Sequence, residues 1–437
     1  MKTSYWWNMP SDNLRTFGHW LARHWNWFWF GPGFGPLLGF YRFFLGTLCL
    51  IASFFSLESR GWWEVAPAYW FPTLTFRLLH IHPLPEAWET PALWVFRLAL
   101  LLAALGLFSR VSLAVSAVAG FYFFGIGNNF GKISHTECVL MYGLLILPFT
   151  PCGDFWSIDS LRPKFRPASG AAYKWGVKLV ELMVSSVVFI AGLEKLRYSG
   201  LTSWILSDSL GLTIIRHFYT HEPLTNIGAW IVDYPVFYKT SAAITLVAEV
   251  GAPLLAFLPA TPRVILLLGI WGMFAGFGLL LGVFFKFVVI AYAIFLPWDR
   301  IGAWLCHWLA PRVPSHHVLF DGYCGLCGKT VRALRRMDVL EALTFVDIHR
   351  EWQTVTSSFP WLTEKQPLID SMHVVTNGRQ TTDGYFAYRQ IAWSVPALWP
   401  LLPLLYLPGA SMVGSFVYGW IANRRNGAVC EMPGAAE

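Results

Sequence analysis

Long apolar runs recur between positions 37 and 297, and each is long enough to cross a membrane. About 20 consecutive apolar residues span the hydrocarbon core of a bilayer as a helix. The runs lie near 37–56, 91–108, 111–128, 136–151, 177–196, 241–259, 263–281 and 283–297. The pattern predicts a polytopic α-helical bundle of about eight transmembrane helices, in a membrane domain over residues 31–300.

A shorter, amphipathic pattern precedes the first run. Apolar residues recur there at helical spacing, with arginine and histidine on the other faces. The apolar set is Leu14, Phe17, Leu21, Trp25 and Phe28. A helix with one apolar and one basic face lies in the plane of the membrane interface. We therefore predict an interfacial helix within residues 1–30.

The patterning changes again after position 316, from membrane-like to that of a small soluble fold. Short β-type runs alternate there with segments of helical period. The predicted strands are 317–320, 343–348 and 372–376, and the predicted helices are 326–337 and 385–395. This order predicts an α/β domain over residues 316–437. The apolar tail from 397 to 422 is interrupted by prolines, so we expect it to pack on this domain or on the interface rather than to span.

Composition supports a membrane protein. Hydrophobic residues make up 55% of the chain and charged residues only 13%, against about 25% charged in soluble proteins. The net charge of +7 is spread along the chain, which favours anionic lipid headgroups over nucleic acid as a partner. The seven cysteines are odd in number and scattered, which excludes a disulfide-rich secreted scaffold.

Charge asymmetry predicts the orientation. With eight spans, lysine and arginine concentrate in the segments on the N-terminal side, whereas the opposite segments also carry many carboxylates. The positive-inside rule then places both termini, and the domain after 316, in the cytoplasm. The predicted location is the cell membrane, which is the inner membrane if the source is bacterial.

Charged groups at bilayer depth are costly and therefore functional candidates. Glu194 and Lys195 end one span, and adjacent helical side chains diverge by about 100°, so the two do not simply pair. A desolvated lysine favours the neutral amine, which is a usable base. A lysine reaching the interface is the structural alternative, and Arg42 could likewise be held by a purely structural pairing.

Polar residues also open another span. Asn128 and Asn129 precede His135, which is a candidate proton carrier or hydrogen-bond donor. The structural alternative is a satisfied polar residue at a helix start. In the eight-span topology, His135 and Lys195 lie toward the same, non-cytoplasmic face and could share one pocket.

A pair of cysteines, Cys324 and Cys327, follows a predicted strand and opens a predicted helix. A helix N-terminus favours a thiolate, which is the attacking group in thiol–disulfide exchange. Two inert buried cysteines are one alternative. Zinc is another, but it needs about four ligands. The residues left to complete such a set are the scattered His316, His317, His349, His373 and Cys430, so we expect no metal.

The membrane block resembles the HTTM family, the transmembrane domain of vitamin K-dependent γ-carboxylase and its bacterial relatives. The matching segments are 39–46, 128–135, 142–145, 156–159 and 189–196. The resemblance implies that Lys195 is the base that deprotonates a reduced quinone, with Glu194 beside it and His135 as the active-site histidine. It places Arg42, Asn128, Asn129 and Glu194 among the cofactor-binding residues. The family's histidine in a late span has no counterpart in 263–297.

The C-terminal portion resembles the DCC family, named for the residues that stand here as Asp321, Cys324 and Cys327. Further matches are 345–347, 370–375 and 423–425. The resemblance implies a thioredoxin-like fold and thiol–disulfide oxidoreductase activity. Asp321 would shuttle a proton during exchange, although its negative charge also opposes formation of a thiolate.

The main hypothesis is an integral-membrane oxidoreductase in which Cys324 attacks and Cys327 resolves. Its expected partners are membrane lipid, a lipid-soluble quinone or hydroquinone meeting Lys195 and His135, and a thiol or disulfide protein. One alternative is a vitamin K-type carboxylase or epoxidase that uses Lys195 as base. Another is a non-enzymatic lipid-binding or redox-sensing protein.

Overall fold

A computed structural model describes residues 14–57, 67–131, 136–162, 167–168, 170–220, 225–364, 366–376 and 380–426. The chain divides into two compact units. The first comprises residues 1–160 and 166–298, and the second comprises residues 161–165 and 299–437.

The first unit is built from helices. They are α1 (Leu14–Phe30), α2 (Gly35–Leu57), α3 (Leu74–Leu78), α4 (Glu86–Leu105), α5 (Ser109–Gly125), α6 (Cys138–Ile146), α7 (Gly170–Ser199), α8 (Leu201–Leu206), α9 (Ser209–Thr220), α10 (Ile227–Val232), α11 (Pro235–Gly251), α12 (Ala260–Leu281) and α13 (Lys286–Ala291), and α14 (Trp298–Leu309) begins at the boundary. The predicted interfacial segment thus forms α1, a continuous helix.

Within the described residues, six helices are long and apolar enough to cross a membrane, or up to eight spans if each of two bent helix pairs counts as one. The six are Gly35–Leu57, Glu86–Leu105, Ser109–Asn129, Gly170–Ser199, Pro235–Ala256 and Ala260–Leu281. They coincide with six of the eight predicted runs, so these six runs are confirmed as helices long and apolar enough to cross a membrane.

The other two predicted runs differ from the prediction. Residues 136–151 form only the short apolar helix Cys138–Phe149, because Pro148 lies in a 3₁₀ turn directly after α6 and cannot continue the α-helical hydrogen bonds. Residues 283–297 contribute Lys286–Phe295, the first half of a pair that bends by 78° before Trp298–Arg312. Pro297 lies at that break.

The surface of the spanning helices is apolar on the outside as well as the inside. In the most apolar 18-residue stretch of α12, only 33% of the residues are buried. Ile265 and Leu268 there are 66% and 57% exposed. A helix that is hydrophobic all round is typical of a membrane span. The exposed face of this unit is therefore suited to lipid.

The second unit contains a four-stranded sheet of order β2-β1-β3-β4. The strands are β1 (His316–Phe320), β2 (Leu343–Asp347), β3 (His373–Thr376) and β4 (Gln380–Asp383), and the helices after α14 are α15 (Gly325–Met337), α16 (Trp352–Ser358), α17 (Gln366–Asp370), α18 (Gly384–Ser394), α19 (Leu402–Leu405) and α20 (Ala410–Asn426). β1 and β2 are parallel, whereas β3 is antiparallel to both β1 and β4. The three predicted strands and two predicted helices are confirmed to within two residues.

Alternate residues of β1 enter opposite layers of the second unit, as the period of a strand requires. Val318 packs in one cluster with residues of α15 and α18. Leu319 packs in the other with Val355 of α16. The order of strands and helices and the layers on both faces of the sheet are consistent with a thioredoxin-like fold.

Candidate active site

The cysteine pair lies where β1 ends and α15 begins. Cys324 is the N-cap residue of α15, and its sulfur accepts a hydrogen bond from the backbone N–H of Cys327 at 3.4 Å. The carbonyl of Cys324 also accepts the N–H of Gly328 at 3.0 Å. The sulfur therefore lies at the first helical turn, where the positive end of the helix dipole favours negative charge.

Both cysteines are nearly enclosed, but their neighbours in sequence are not. Cys324 and Cys327 are each 4% exposed, whereas Tyr323 and Leu326 are 56% and 43% exposed. Two exposed apolar residues thus neighbour the buried cysteines in sequence.

Asp321 is held beside the pair by several hydrogen bonds. Its carboxylate Oδ1 accepts the backbone N–H of Tyr323 at 2.9 Å, and its carbonyl accepts the N–H of Cys324 at 3.3 Å. The same Oδ1 lies 3.0 Å from Nε2 of His349. The carboxylate therefore has a basic partner, which the sequence did not reveal.

Parallel strand pairing brings His349 to this edge. Phe320 at the end of β1 pairs with Asp347 at the end of β2, so the residues after both strands leave the sheet on the same side. The backbone N–H of His349 donates to Asp347 Oδ1 at 2.9 Å, and its ring lies 4.4 Å from that of Tyr323. From the sequence, His349 was only one of several scattered candidate zinc ligands, because the sequence does not give the order or register of the strands.

Gly322 fits between the two loops because it has no side chain. A Cβ placed at this position would lie 2.0 Å from Oδ2 of Asp347, far closer than atoms can approach. A side chain at this glycine in the Asp-Gly-Tyr-Cys segment would therefore force the Asp347 carboxylate to move. The carboxylate of Asp347 occupies the space that a side chain would need.

The alternative zinc ligands have other surroundings. Among the described residues, no three or more His, Cys, Asp or Glu side chains are grouped to hold a metal ion. His316 lies in β1, where its Nδ1 is 3.1 Å from Oγ1 of Thr376 and burial lowers the pKa of its imidazole. His317 packs edge-on against Phe359, and Nδ1 of His373 lies 2.9 Å from the carbonyl of Ser371. Cys430 lies outside the described residues.

In the membrane unit, Lys195 pairs with Glu249 across two helices. Nζ of Lys195 in α7 lies 2.7 Å from each carboxylate oxygen of Glu249 in α11, and it is 5.4 Å from the centre of the Trp204 ring. Gly192 permits this approach, since a Cβ there would lie 2.9 Å from Cβ of Glu249. For Lys195 to act as a base, its proton would first have to leave this ion pair. Its role as base stays a prediction.

Glu194 turns away from this pair. Its carboxylate lies 3.7 Å from the guanidinium of Arg197 on the same helix, and its side chain is 47% exposed. Glu194 and Lys195 thus have different partners, as the divergence of adjacent helical side chains requires. His135 lies outside the described residues, so the pocket expected between His135 and Lys195 stays a prediction.

Arg42 is fully buried and binds backbone carbonyls. Its Nε donates to Cys152 at 3.1 Å and its NH1 to Ala104 at 2.7 Å, with further bonds to Ala103 and Trp156. These acceptors lie at the end of α4 and in the segment after α6. The guanidinium therefore ties three parts of the unit together through backbone carbonyls, rather than through the carboxylate or lipid headgroups of a structural pairing.

The two asparagines also make internal hydrogen bonds. Asn129 is fully buried; its amide donates to the carbonyls of Gly125 and Ile126, and its oxygen accepts the N–H and hydroxyl of Thr73. Asn128 Nδ2 lies 3.9 Å from the sulfur of Cys138. Binding of a cofactor by these residues or by Arg42 and Glu194 stays a prediction.

Comparisons with known proteins bear on the second unit. Residues 318–430 match the model of the DCC1-like thiol-disulfide oxidoreductase family. Neither a search of curated proteins nor one of solved structures found a match. The resemblance of the membrane unit to the HTTM family rests on the sequence segments alone. The C-terminal part of this chain is therefore similar to the DCC1-like thiol-disulfide oxidoreductases.

Proposed function

We propose that this protein is a membrane-anchored thiol–disulfide oxidoreductase in which Cys324 is the attacking nucleophile and Cys327 the resolving one. The observation that carries the proposal is the position of the Cys324 sulfur at the N-cap of α15, with the N–H of Cys327 at 3.4 Å. The family match over residues 318–430 supports the same reaction class, and the spanning-length helices support the membrane location.

The reaction proceeds in two exchanges that conserve atoms and electrons. The Cys324 thiolate attacks one sulfur of a substrate disulfide, which forms a mixed disulfide and releases the other sulfur as a thiolate that takes up a proton. The Cys327 thiolate then attacks the Cys324 sulfur, which closes the 324–327 disulfide and releases the second substrate thiol. The substrate gains two electrons and two protons, and the dithiol loses them. The reverse sequence oxidises a substrate dithiol.

The two cysteines have different roles because they occupy different positions in α15. Cys324 precedes the first helical residue, so its sulfur meets the N–H groups that have no partner within the helix. Cys327 lies inside the first turn and supplies one of those N–H groups to Cys324. The N–H groups at the start of a helix stabilise negative charge on a sulfur at the cap, so Cys324 is placed for the first attack. In the resolving step the Cys324 sulfur is attacked and the substrate sulfur leaves as a thiolate.

His349 is proposed as a positioning residue that acts through Asp321. A bare carboxylate beside the cysteines would oppose a second negative charge on sulfur. The imidazole at 3.0 Å donates a hydrogen bond to that carboxylate, and in its protonated form it balances the charge. The dyad can also pass a proton between solvent and the turn, since both side chains are partly exposed.

The test measures turnover by the whole chain in lipid nanodiscs. A fluorogenic glutathione disulfide is the substrate, and limiting dithiothreitol regenerates the dithiol. Cys324→Ser is expected to reduce turnover to the uncatalysed background. Cys306→Ser in α14 is the matched control and should retain full turnover. Full turnover by Cys324→Ser would refute the proposal.

A further inference from the structure

The segment after α18 presents a broad apolar surface. It comprises a 3₁₀ turn (Pro396–Leu401), α19 and α20, and we name its exposed apolar residues the α19–α20 surface. Phe416 and Met412 at its centre are 75% and 76% exposed. The other large members are Leu401, Leu404, Leu407, Val413, Val417, Trp420 and Ile421. An exposed apolar patch of this kind marks a site of interaction.

This surface is fixed to the domain rather than loosely attached. The hydroxyl of Tyr385 donates to the carbonyl of Leu405 at 2.8 Å, and the indole N–H of Trp393 donates to the hydroxyl of Tyr406 at 2.8 Å. The ring of Tyr385 also packs so closely on Gly414 that a Cβ there would lie 2.1 Å from it. Only the opposite side of α20 is left exposed.

The shape of the segment argues against a further membrane span. Pro396–Leu405 and Ala410–Ala422 are together apolar enough to span, but they meet at 113°. Gly409 at the break has φ of +84°, which favours glycine and ends the helical path. Straightening the two halves into one span would also break the bonds from Tyr385 and Trp393. The segment is therefore suited to shallow insertion.

The margin of the surface indicates which partner covers it. Trp393, Trp399 and Tyr406 lie at one end, and the guanidinium of Arg389 sits 3.7 Å above the Tyr406 ring. Two further arginines, Arg424 and Arg425, follow α20's apolar stretch in the sequence. Aromatic rings and cations next to an aliphatic patch are typical of a membrane interface with anionic headgroups.

We propose that the α19–α20 surface inserts into one leaflet of the bilayer and seats the redox domain on the membrane. The spanning-length helices of the same chain keep lipid within reach of this domain. A lipid contact does not depend on turnover by the cysteines, so this proposal stands or falls separately from the proposed function. It also predicts that the residues before 396 and the residues after 422 lie on the same side of the membrane.

The first test is crosslinking of the full chain to lipid. The photoreactive residue p-benzoylphenylalanine replaces Phe416 in one variant and Trp361, which is 44% exposed, in the control. Both variants are irradiated in nanodiscs of phosphatidylcholine and phosphatidylglycerol, and adducts are identified by mass spectrometry. Lipid adducts at 416 but not at 361 are expected. Adducts at 416 to protein only, no adducts at 416, or equal lipid adducts at both positions would overturn the proposal.

The second test separates shallow insertion from a span. A Trp361→Cys variant with an epitope tag after Glu437 is placed in sealed vesicles of the same lipids. Labelling at position 361 by a membrane-impermeant maleimide and binding of an antibody to the tag are compared in each orientation. We expect the maleimide to reach position 361 and the antibody to reach the tag from the same side of the membrane. Access from opposite sides would show that the segment spans, and the proposal would be wrong.

Discussion

Nε2 of His349 lies 3.0 Å from Oδ1 of Asp321, and this contact joins the loops that follow β1 and β2. The parallel pairing of the two strands makes it possible, since Phe320 and Asp347 are opposite each other at the strand ends. A carboxylate–imidazole contact lies beside the Cys324–Cys327 turn, where the proposed thiolate forms. The proposed role of this pair can be measured directly.

Replacing His349 by Gln should slow alkylation of Cys324 by up to about fivefold, because a partly exposed carboxylate–imidazole pair contributes on the order of 1 kcal/mol or less. The rate falls because the Asp321 carboxylate loses its imidazole partner, and a carboxylate without that partner opposes a second negative charge on the nearby sulfur. The measurement is the rate of iodoacetamide labelling at Cys324 by mass spectrometry. His373→Gln is the control and should react at the normal rate. An equal rate in His349→Gln and the wild type would remove His349 from the mechanism.

Gly322→Ala should destabilise the redox domain by about 1–3 kcal/mol, the usual cost of overpacking a filled space. The added methyl group would meet the carboxylate of Asp347, which the structure places 2.0 Å from the new atom. Gly325→Ala is the matched control, since nothing lies within 4 Å of its Cβ position. Thermal unfolding in detergent should show a lower midpoint for Gly322→Ala only. Equal midpoints for the two variants would contradict the packing described here.

Lys195→Met should destabilise the membrane unit by about 3–5 kcal/mol, because it leaves a buried carboxylate without its partner. Glu249 is 3% exposed. In the double variant Lys195→Met/Glu249→Met, much of that loss should be recovered, since no buried charge remains. Unfolding of the unit can be followed by the heat-induced loss of monodisperse protein. A double variant as unstable as the sum of both single ones would show that the pair is not coupled.

Acid should weaken the redox domain through His316. Burial lowers the pKa of this imidazole in the folded state, so the unfolded chain binds its proton more readily, with a pKa of about 6.5. The stabilising contribution is present above that pH, and it is lost as the pH falls through the unfolded value toward the lowered folded one. His316→Asn should therefore show a smaller loss of thermal stability between neutral and acidic pH than His317→Asn. The same acid sensitivity in both variants would contradict this assignment.

Local patterns in the sequence predicted much of the fold. Six of eight apolar runs became spanning-length helices, and the alternation in β1, β2 and β3 was sufficient to place those strands. β4 was missed because Gln380, Thr381, Thr382 and Asp383 are all polar; the strand forms by pairing with β3. The run at 136–151 was predicted too long, because hydropathy averages over Pro148 and does not register the end of a helix.

The sequence alone could not predict the side-chain contacts of the site between residues that lie far apart in the chain. Cys324 and Cys327 could be assigned because they share one turn and one helix start. His349, the partner of Asp321, lies 28 positions further along the chain, and Glu249, the partner of Lys195, lies 54 positions further. Only the strand register and the helix packing show which side chains meet. The alternation of polar and apolar residues carries no such information.

The central claim is that the sulfur of Cys324 makes the first attack. The most direct measurement uses the full-length Cys327→Ser variant, which cannot resolve a mixed disulfide, treated with labelled glutathione disulfide in nanodiscs. Peptide mass spectrometry then locates the label under non-reducing conditions. The account predicts a stable adduct on Cys324, formed faster than on any other cysteine of the chain. A label confined to other cysteines, or no adduct at position 324, would contradict it.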